Sequence, residues 1–551
     1  MSSLLAVALP FILALLMTVP GHVRHTVCRV APLAPLVLLP VLLLPGELEL
    51  GLQLVGLRLG TDAASTPLVW LTLIAWGLAG WLAAETIERE RTWFWSGWLL
   101  ALTGMNLALL AGNIVSFYLG FALVSLSAYL LVVQAGTPAA WRAGRIYLVM
   151  AMAGEAAILA GVLLLAGKVG NVPFDALLAG GSAEALAEGP VRWLLLIGFA
   201  VKLGIIPVHL WLPLAHPVAP VPASAILSGV IVKAGLLGWL RFVPALEGDP
   251  AVLGQWMLAI GLVTAFGGVL LGLTQTRIKT VLAYSTISQM GLILCGFSVW
   301  FLDPAGREGG VTVLGLLALH HGLNKAALFL ACACQPGASR WRLTLFVLPA
   351  LSLAGLPLTT GFLAKGELKD ALTLAGAGDG AMLLVALSST ATALLMWKAF
   401  SLARAMNASE SGVHPAWPLL VLAALVVPWL HGASAGLLAW PDVAKLLDST
   451  WPLILAVVLI LAARRLFAGR QVELPEGDAV VLVGRVCTRL ALLGRSAADA
   501  GALFSGWRVD FAPTRALLAR LEDSEARLPM VGLALLAISV LLWLLTGAGG
   551  G

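Results

Sequence analysis

VRWLLLIGFAVKLGIIPVHLWLPLAHPVAPVPASAILSGVIVKAGLLGWLR, residues 191–241, decides how the whole chain is read. Two apolar runs of membrane-spanning length flank a proline-rich connection, and each carries one lysine near its middle, Lys202 and Lys233. An ionised group at the centre of a spanning helix costs about 2.5 to 3.5 kcal/mol to insert, so a lysine there needs a partner or a task. Pro207 follows Lys202 closely and removes a helix hydrogen bond in mid-membrane, while Pro213, Pro217, Pro220 and Pro222 crowd the connection behind it. A spanning helix broken beside its own charge points to transport, because the freed backbone groups hold water next to the lysine.

The same pattern extends outward in both directions. Hydrophobic residues make up 60% of the 551 and charged residues 11%, against about 25% in a soluble protein, and mean hydropathy is +0.98. Apolar runs begin near residues 4, 30, 63, 93, 114, 145, 191, 219, 251, 278, 310, 343, 378, 415, 449 and 528. The expected fold is therefore all-α, a polytopic membrane bundle of about 16 transmembrane helices. That composition excludes a soluble enzyme and a nucleic-acid binder. The first run lacks a basic leader and an A-x-A site, and is expected as a retained helix. Five cysteines form no disulfide framework, and Cys332 and Cys334 have no second pair at metal-ligand spacing, so neither a metal nor another cofactor is expected. No nucleotide, flavin or iron–sulfur motif is present. The chain is not expected to be an enzyme by itself, and any driving chemistry must come from a partner.

Between the second and third runs, ELELGLQLVGLRLGTD (47–62) alternates apolar and polar residues around Gly51 and Gly56, the pattern of a short extramembrane hairpin. Basic residues gather in the loops after odd-numbered runs: Arg24 and Arg29, Arg89 and Arg91, Arg142 and Arg145, Arg277 and Lys279, Arg340 and Arg342, then Arg464, Arg465 and Arg470. The positive-inside rule puts those loops in the cytoplasm and both termini on the other side of a prokaryotic inner membrane. Loops after even runs, such as the one holding Asp175, Glu184 and Glu188, are acidic or neutral. The long polar stretch 467–527 carries helical patterning and is expected as amphipathic helices on the cytoplasmic surface. The expected division is N-terminal helices and hairpin in 1–92, five-helix repeats in 93–241 and 251–407, C-terminal helices in 415–466, the lateral segment 467–527, and a last spanning helix in 528–551.

Further ionisable groups lie at run centres. Glu155 is central in IYLVMAMAGEAAILAGVLLLAG (146–167) and Lys325 in VTVLGLLALHHGLNKAALFLACAC (311–334). Lys365 follows a second break, where Gly355, Pro357 and Gly361 interrupt LAGLPLTTGFLAKGELKDAL (353–372). Four lysines together cost on the order of 10 kcal/mol to insert, more than a structural role justifies. His321 and Lys325 share a helical face one turn apart, with His320 beside them. Imidazole titrates near neutrality, and a row of Lys, His and Glu bridged by water suits proton transfer across a low-dielectric region. Breaks at matching places in two successive five-helix blocks point to an inverted-repeat transporter.

The segments KLGIIPVHLWLPLAHPVAPVPASAILSGVIVKAG (202–235), TRIKTVLAYSTISQMG (276–291), HHGLNKAALFL (320–330) and GLPLTTGFLAKGE (355–367) resemble the signature stretches of the antiporter-like membrane subunits. That family is shared by respiratory complex I, Mrp-type cation/proton antiporters and membrane-bound hydrogenases. The resemblance implies fourteen core helices with two inverted five-helix repeats, plus extra C-terminal helices. It makes Lys202 the lysine of the first broken helix, Lys233 the connecting lysine, Lys325 the central lysine of the second repeat and Lys365 the exit-side lysine. His321 takes the relay histidine's place. The family's fifth-helix glutamate is missing, since FYLGFALVSLSAYLL (117–131) has Ala122 there. Gly366 precedes Glu367 where an acidic residue often directly follows the lysine, and Gln275 stands in a place often acidic.

The function expected is translocation of protons, or of a cation such as Na+ against protons, inside a larger complex whose other membrane subunits form a redox, Mrp-like or inorganic-carbon uptake module. Ala122 favours one rival, a structural membrane subunit that has lost conduction; a stand-alone cation/proton antiporter is the other. Glu155 is the acidic residue at mid-depth in the first repeat, on the helix before that of Lys202. It is expected to replace the missing glutamate as partner of Lys202 or Lys233.

Overall fold

A computed structural model describes residues 1–50, 56–177, 185–186, 189–243, 251–303, 307–407, 412–437 and 443–466. The expectations for Glu184, Glu188, Arg470, 467–527 and 528–551 lie outside the described residues. Apolar composition drives helix formation nearly everywhere, because in a bilayer the backbone must satisfy its own hydrogen bonds. In chain order the helices are α1 (Ser2–Leu16), α2 (His22–Leu43), α3 (Thr66–Thr86), α4 (Arg91–Leu110), α5 (Ile114–Val133), α6 (Pro138–Val169), α7 (Gly189–Leu203), α8 (Trp211–Val218), α9 (Val221–Phe242) and α10 (Ala251–Leu273). They continue with α11 (Ile278–Leu302), α12 (Arg307–Cys334), α13 (Arg340–Ala354), α14 (Thr360–Leu374), α15 (Asp379–Ala405), α16 (Ala416–Ser434) and α17 (Val443–Leu466).

Among the described residues, 12 helices are long and apolar enough to cross a membrane. The first fifteen expected runs each hold a helix or, at the seventh and twelfth, a broken pair. Those pairs, α7 with α8 and α13 with α14, and the short α1 are the positions outside the twelve. Gly204 (φ +73°) and Gly355 (φ +88°) sit at the two breaks in backbone conformations that a side chain would strain. Leu358 adopts φ +64° within the second break, a non-glycine in the left-handed region. The hairpin is present as β1 (Leu48–Leu50) antiparallel to β2 (Leu57–Leu59), with Glu49 opposite Arg58.

Loop contacts sort the bundle's two ends. At one end the connections after even runs meet: Arg58 pairs with Asp175 at 3.3 Å, Arg241 with Asp62 at 3.1 Å, and the Gly112 N–H donates to the Arg58 carbonyl at 2.7 Å. Arg241 is buried there and also donates to the carbonyls of Ala108, Leu109 and Ala111. At the other end the connections after odd runs meet. Gln134 donates to the Arg89 carbonyl at 3.0 Å, and His414 Nε2 lies 3.2 Å from Glu85.

Helix pairs close where small residues face one another. α4 and α5 are in backbone contact: a Cβ on Gly104 would lie 2.4 Å from the Val124 nitrogen, and one on Gly120 2.4 Å from the Ala108 nitrogen. Gly104→Leu should therefore force these helices apart, an overpacking cost of about 1–3 kcal/mol or more. The Tm of the detergent-solubilised chain should fall by several degrees. An unchanged Tm would mean that the two backbones are not in contact.

Candidate functional site

The ionisable residues expected at mid-membrane are buried, and they fall into two groups. The first surrounds Lys202, on the last turn of α7, just before the break, where the Ile205 N–H bonds back to the Ala200 carbonyl five residues earlier. The Lys202 ammonium donates to the Ser125 hydroxyl at 2.9 Å and to the Tyr147 hydroxyl at 3.4 Å. Tyr147 donates in turn to the Ser125 carbonyl at 2.6 Å. The faces of Phe121 and Tyr147 lie 5.9 and 5.8 Å from the ammonium, within cation–π range. Glu155, 8% exposed on α6, lines the same small cavity, whose volume of about 10 Å³ holds about one water.

Ser125 interacts with the Glu155 carboxylate as well as with Lys202, so one hydroxyl stands between the two charges. Glu155 Oε2 has no hydrogen-bond partner among the described residues and is free to take a water. Of the two lysines considered for Glu155, Lys202 is the one that lines this cavity with it. Ala122 is half-buried one turn before Ser125 on α5. The helix that lacks the expected glutamate thus contributes a serine to the lysine instead.

The second group runs through α9, α11, α12, α14 and α15. Lys233 is fully buried directly after a π turn, Leu227–Ile231, in α9. The turn widens the backbone spacing, so the Val232 N–H reaches the Leu227 carbonyl, and the Lys233 ammonium donates to the Ser228 carbonyl at 2.6 Å. The Ser228 hydroxyl is 2.6 Å from the Thr286 hydroxyl, which donates to the Leu282 carbonyl at 3.1 Å. With its single proton so used, Thr286 accepts from Ser228. Lys325, also fully buried, donates to the same Leu282 carbonyl at 2.6 Å and lies 5.7 Å from the Phe329 ring. Ser228, Thr286 and the Leu282 carbonyl thus lie between Lys233 and Lys325 across α9, α11 and α12, with Lys233 held by the Ser228 carbonyl and the onward link made by the Ser228 hydroxyl.

His321 is buried one turn before Lys325 and interacts electrostatically with Lys233, Lys325 and His320. Neither of its ring nitrogens has a hydrogen-bond partner among the described residues. Buried polar atoms are normally satisfied, so a nitrogen pair left open amid lysines suits water. His320 Nδ1 is 2.9 Å from the Thr360 hydroxyl at the start of α14, and Nε2 is open. His320 in turn interacts with Lys365. Lys365 is buried and donates to the Ser389 hydroxyl at 3.1 Å and the Ala354 carbonyl at 3.4 Å, the latter exposed by the second helix break. Beyond it opens a vestibule of about 370 Å³ whose rim includes Glu367. Glu367 is half-buried and forms no ion pair among the described residues.

Among the described residues, the hydrogen bonds of Lys202, Ser125 and Tyr147 do not reach those of Lys233, Ser228, Thr286 and Lys325, so the two groups are described separately. Gln275 bonds locally, to the Leu271 carbonyl and Thr274. Sequence reasoning missed Ser125, Tyr147, Ser228, Thr286 and Ser389, hydroxyls that a helix carries without penalty and that stand out only through cross-helix contacts. It also passed over His216, which is fully buried, stacks on Phe329 at 4.7 Å and has both ring nitrogens open.

Comparison with known proteins gives this arrangement a lineage. The chain is 30% identical over 366 residues to hydrogenase-4 component B of Escherichia coli, covering 59% of this chain and 54% of that protein. It is 27% identical over 330 residues to a Na(+)/H(+) antiporter subunit of Alkalihalophilus pseudofirmus, covering 56% and 66% respectively. The chain spans about half the length of the first relatives it matches. Its fold is similar to a chain of the Mrp complex from Dietzia sp., with TM-score 0.73 at 20% identity over 98% of this chain and 62% of that one. It is also similar to a chain of the membrane-bound sulfane sulfur reductase, an archaeal respiratory membrane complex, with TM-score 0.68 at 20% identity over 82% and 99%. Residues 111–394, which hold both charge groups, match the family model described as NADH:quinone oxidoreductase/Mrp antiporter, TM. With more than half its length inside that model, and with the broken helices and buried lysines in place, the chain belongs to the NADH:quinone oxidoreductase/Mrp antiporter transmembrane family.

Proposed function

We propose that this chain is an ion-translocating subunit of a larger membrane complex and moves protons, or exchanges a cation for protons, along its buried lysines and histidines. The observation that carries the reading is the second group. Lys233, Lys325, His321, His320 and Lys365 follow one another through the bundle, with open imidazole nitrogens between the ammonium groups and a vestibule of about 370 Å³ at the Lys365 end. The Glu155–Ser125–Lys202 set is the corresponding switch of the first repeat, with Glu155 in the role that Ala122 leaves empty. The repeats are 93–241 and 251–407, each containing one broken helix.

Partners supply the energy. The relatives include a hydrogenase component and an antiporter subunit, and the similar folds come from multi-subunit complexes, which supports a redox, hydrogenase or Mrp-like module beside this chain. Identifying the proteins that co-purify with the detergent-solubilised chain tests this. A chain that purifies alone and transports alone in vesicles would turn the reading to a stand-alone antiporter. Ala122 supports a second reading, a structural subunit without conduction, which predicts the same partners and no dependence of ion flux on the lysines.

The Arg-rich odd-run loops are assigned to the cytoplasm and both termini to the other side. Single cysteines in a cysteine-free background check this. Gly378→Cys should react with a membrane-impermeant thiol reagent added outside intact cells, and Glu88→Cys should not. The reverse pattern would invert the assignment.

A further inference from the structure

The vestibule above Lys365 has an unusual wall. Lys365 and Ser389 form its inner end, while Lys445, Asp448, Ser449 and Pro452 of α17 form part of its outer side. α17 is loosely embedded, with 11% of its spanning window buried. Two ion pairs tie its first turns to α14: Lys369 to Asp448 at 2.6 Å and Lys445 to Asp370 at 2.8 Å. Both pairs reach solvent, where such contacts exchange readily with water and are screened by salt. Pro452 lies inside the helix and leaves the Asp448 carbonyl without its helical donor, a site where helices kink. The Pro452 carbonyl itself is held by the Thr390 hydroxyl at 2.7 Å. The helix is thus pinned at the proline and latched by charge before it.

From this geometry we infer that residues 443–451 are a lid hinged at Pro452, and that its two crossed ion pairs control the access of water, hydronium and small hydrated cations to Lys365. The lid opens toward the end of the bundle where the even-run loops meet, since α14 finishes and α17 begins there. The inference rests on Lys365 belonging to the ion path, but its test reads access alone. The full-length chain, in its own membranes and with native cysteines replaced, carries Ser389→Cys as a reporter. A positively charged, membrane-impermeant thiol reagent is applied from the even-run side.

Labelling should be slow in this parent and about tenfold faster after Asp370→Asn with Asp448→Asn. Reversing both pairs in one chain (Lys369→Asp with Asp448→Lys, Lys445→Asp with Asp370→Lys) should bring the rate back toward the parent. Raised ionic strength should speed the parent and leave the double Asn variant unchanged. Equal rates in the parent and the double Asn variant, or a reversed chain as fast as that variant, would overturn the lid. Controlled labelling combined with an ion flux indifferent to the lysines would keep the lid and remove the translocation reading.

Discussion

Lys325→Ala is expected to reduce coupled ion movement by the assembled complex at least tenfold while the complex still assembles. The ammonium is the junction of the second group: it shares the Leu282 carbonyl with the Thr286 hydroxyl and interacts electrostatically with His321. Without it, no titratable group remains between Lys233 and His321 on this path, and the Leu282 carbonyl, which accepts hydrogen bonds but does not carry a proton, is left to Thr286 alone. Assembly should survive because two effects nearly cancel. Shortening a buried side chain to alanine costs about 2–5 kcal/mol in lost packing. Removing an ionised group from mid-membrane returns about 2.5–3.5 kcal/mol of insertion cost. Partner co-purification and proton flux in vesicles, measured on the same preparation, separate the two. Native flux in Lys325→Ala would favour the structural reading.

The second large effect is expected at Glu155. Glu155→Gln keeps the size of the side chain and its ability to meet Ser125 but removes the charge facing Lys202. A buried ammonium is stabilised by an opposite charge close by, and here the two are linked through one hydroxyl and a cavity holding about one water. If the first repeat switches by passing a proton between this pair, Glu155→Gln should cut flux severalfold. Ser125→Ala should do so to a similar or lesser degree, and combining the two should add little, because both act on one link. Native flux in both single variants would mean that the first repeat has no acidic switch and that transport runs through His321, Lys325 and Lys365.

Much of this was legible in the residues. The lysines were visible because charge in an apolar run is expensive, and the two breaks because Pro207, Gly355 and Pro357 interrupt helices by local rules. The 47–62 hairpin followed from simple alternation. What sequence left open was adjacency across helices. Glu155 was expected beside Lys202 or Lys233, and only the packing of α6 against α7 shows that Glu155, Ser125 and Lys202 line one cavity. The π turn before Lys233 has no local signature, since LSGVI reads as ordinary helix. The Ser228–Thr286 link joins positions 58 apart in the chain. α17 as a vestibule wall was equally hidden, because nothing local to Lys445 or Asp448 says which helix they meet.

Whether ions cross this chain on its buried lysines is decided in proteoliposomes holding the co-purified complex. Proton movement is compared between the native chain and one in which Lys202, Lys233, Lys325 and Lys365 are all methionine, at matched assembly and matched driving reaction. Driven proton uptake is expected with the native chain and none above the leak with the variant. Equal uptake in the two would show that the ions take another route and that this chain is scaffold.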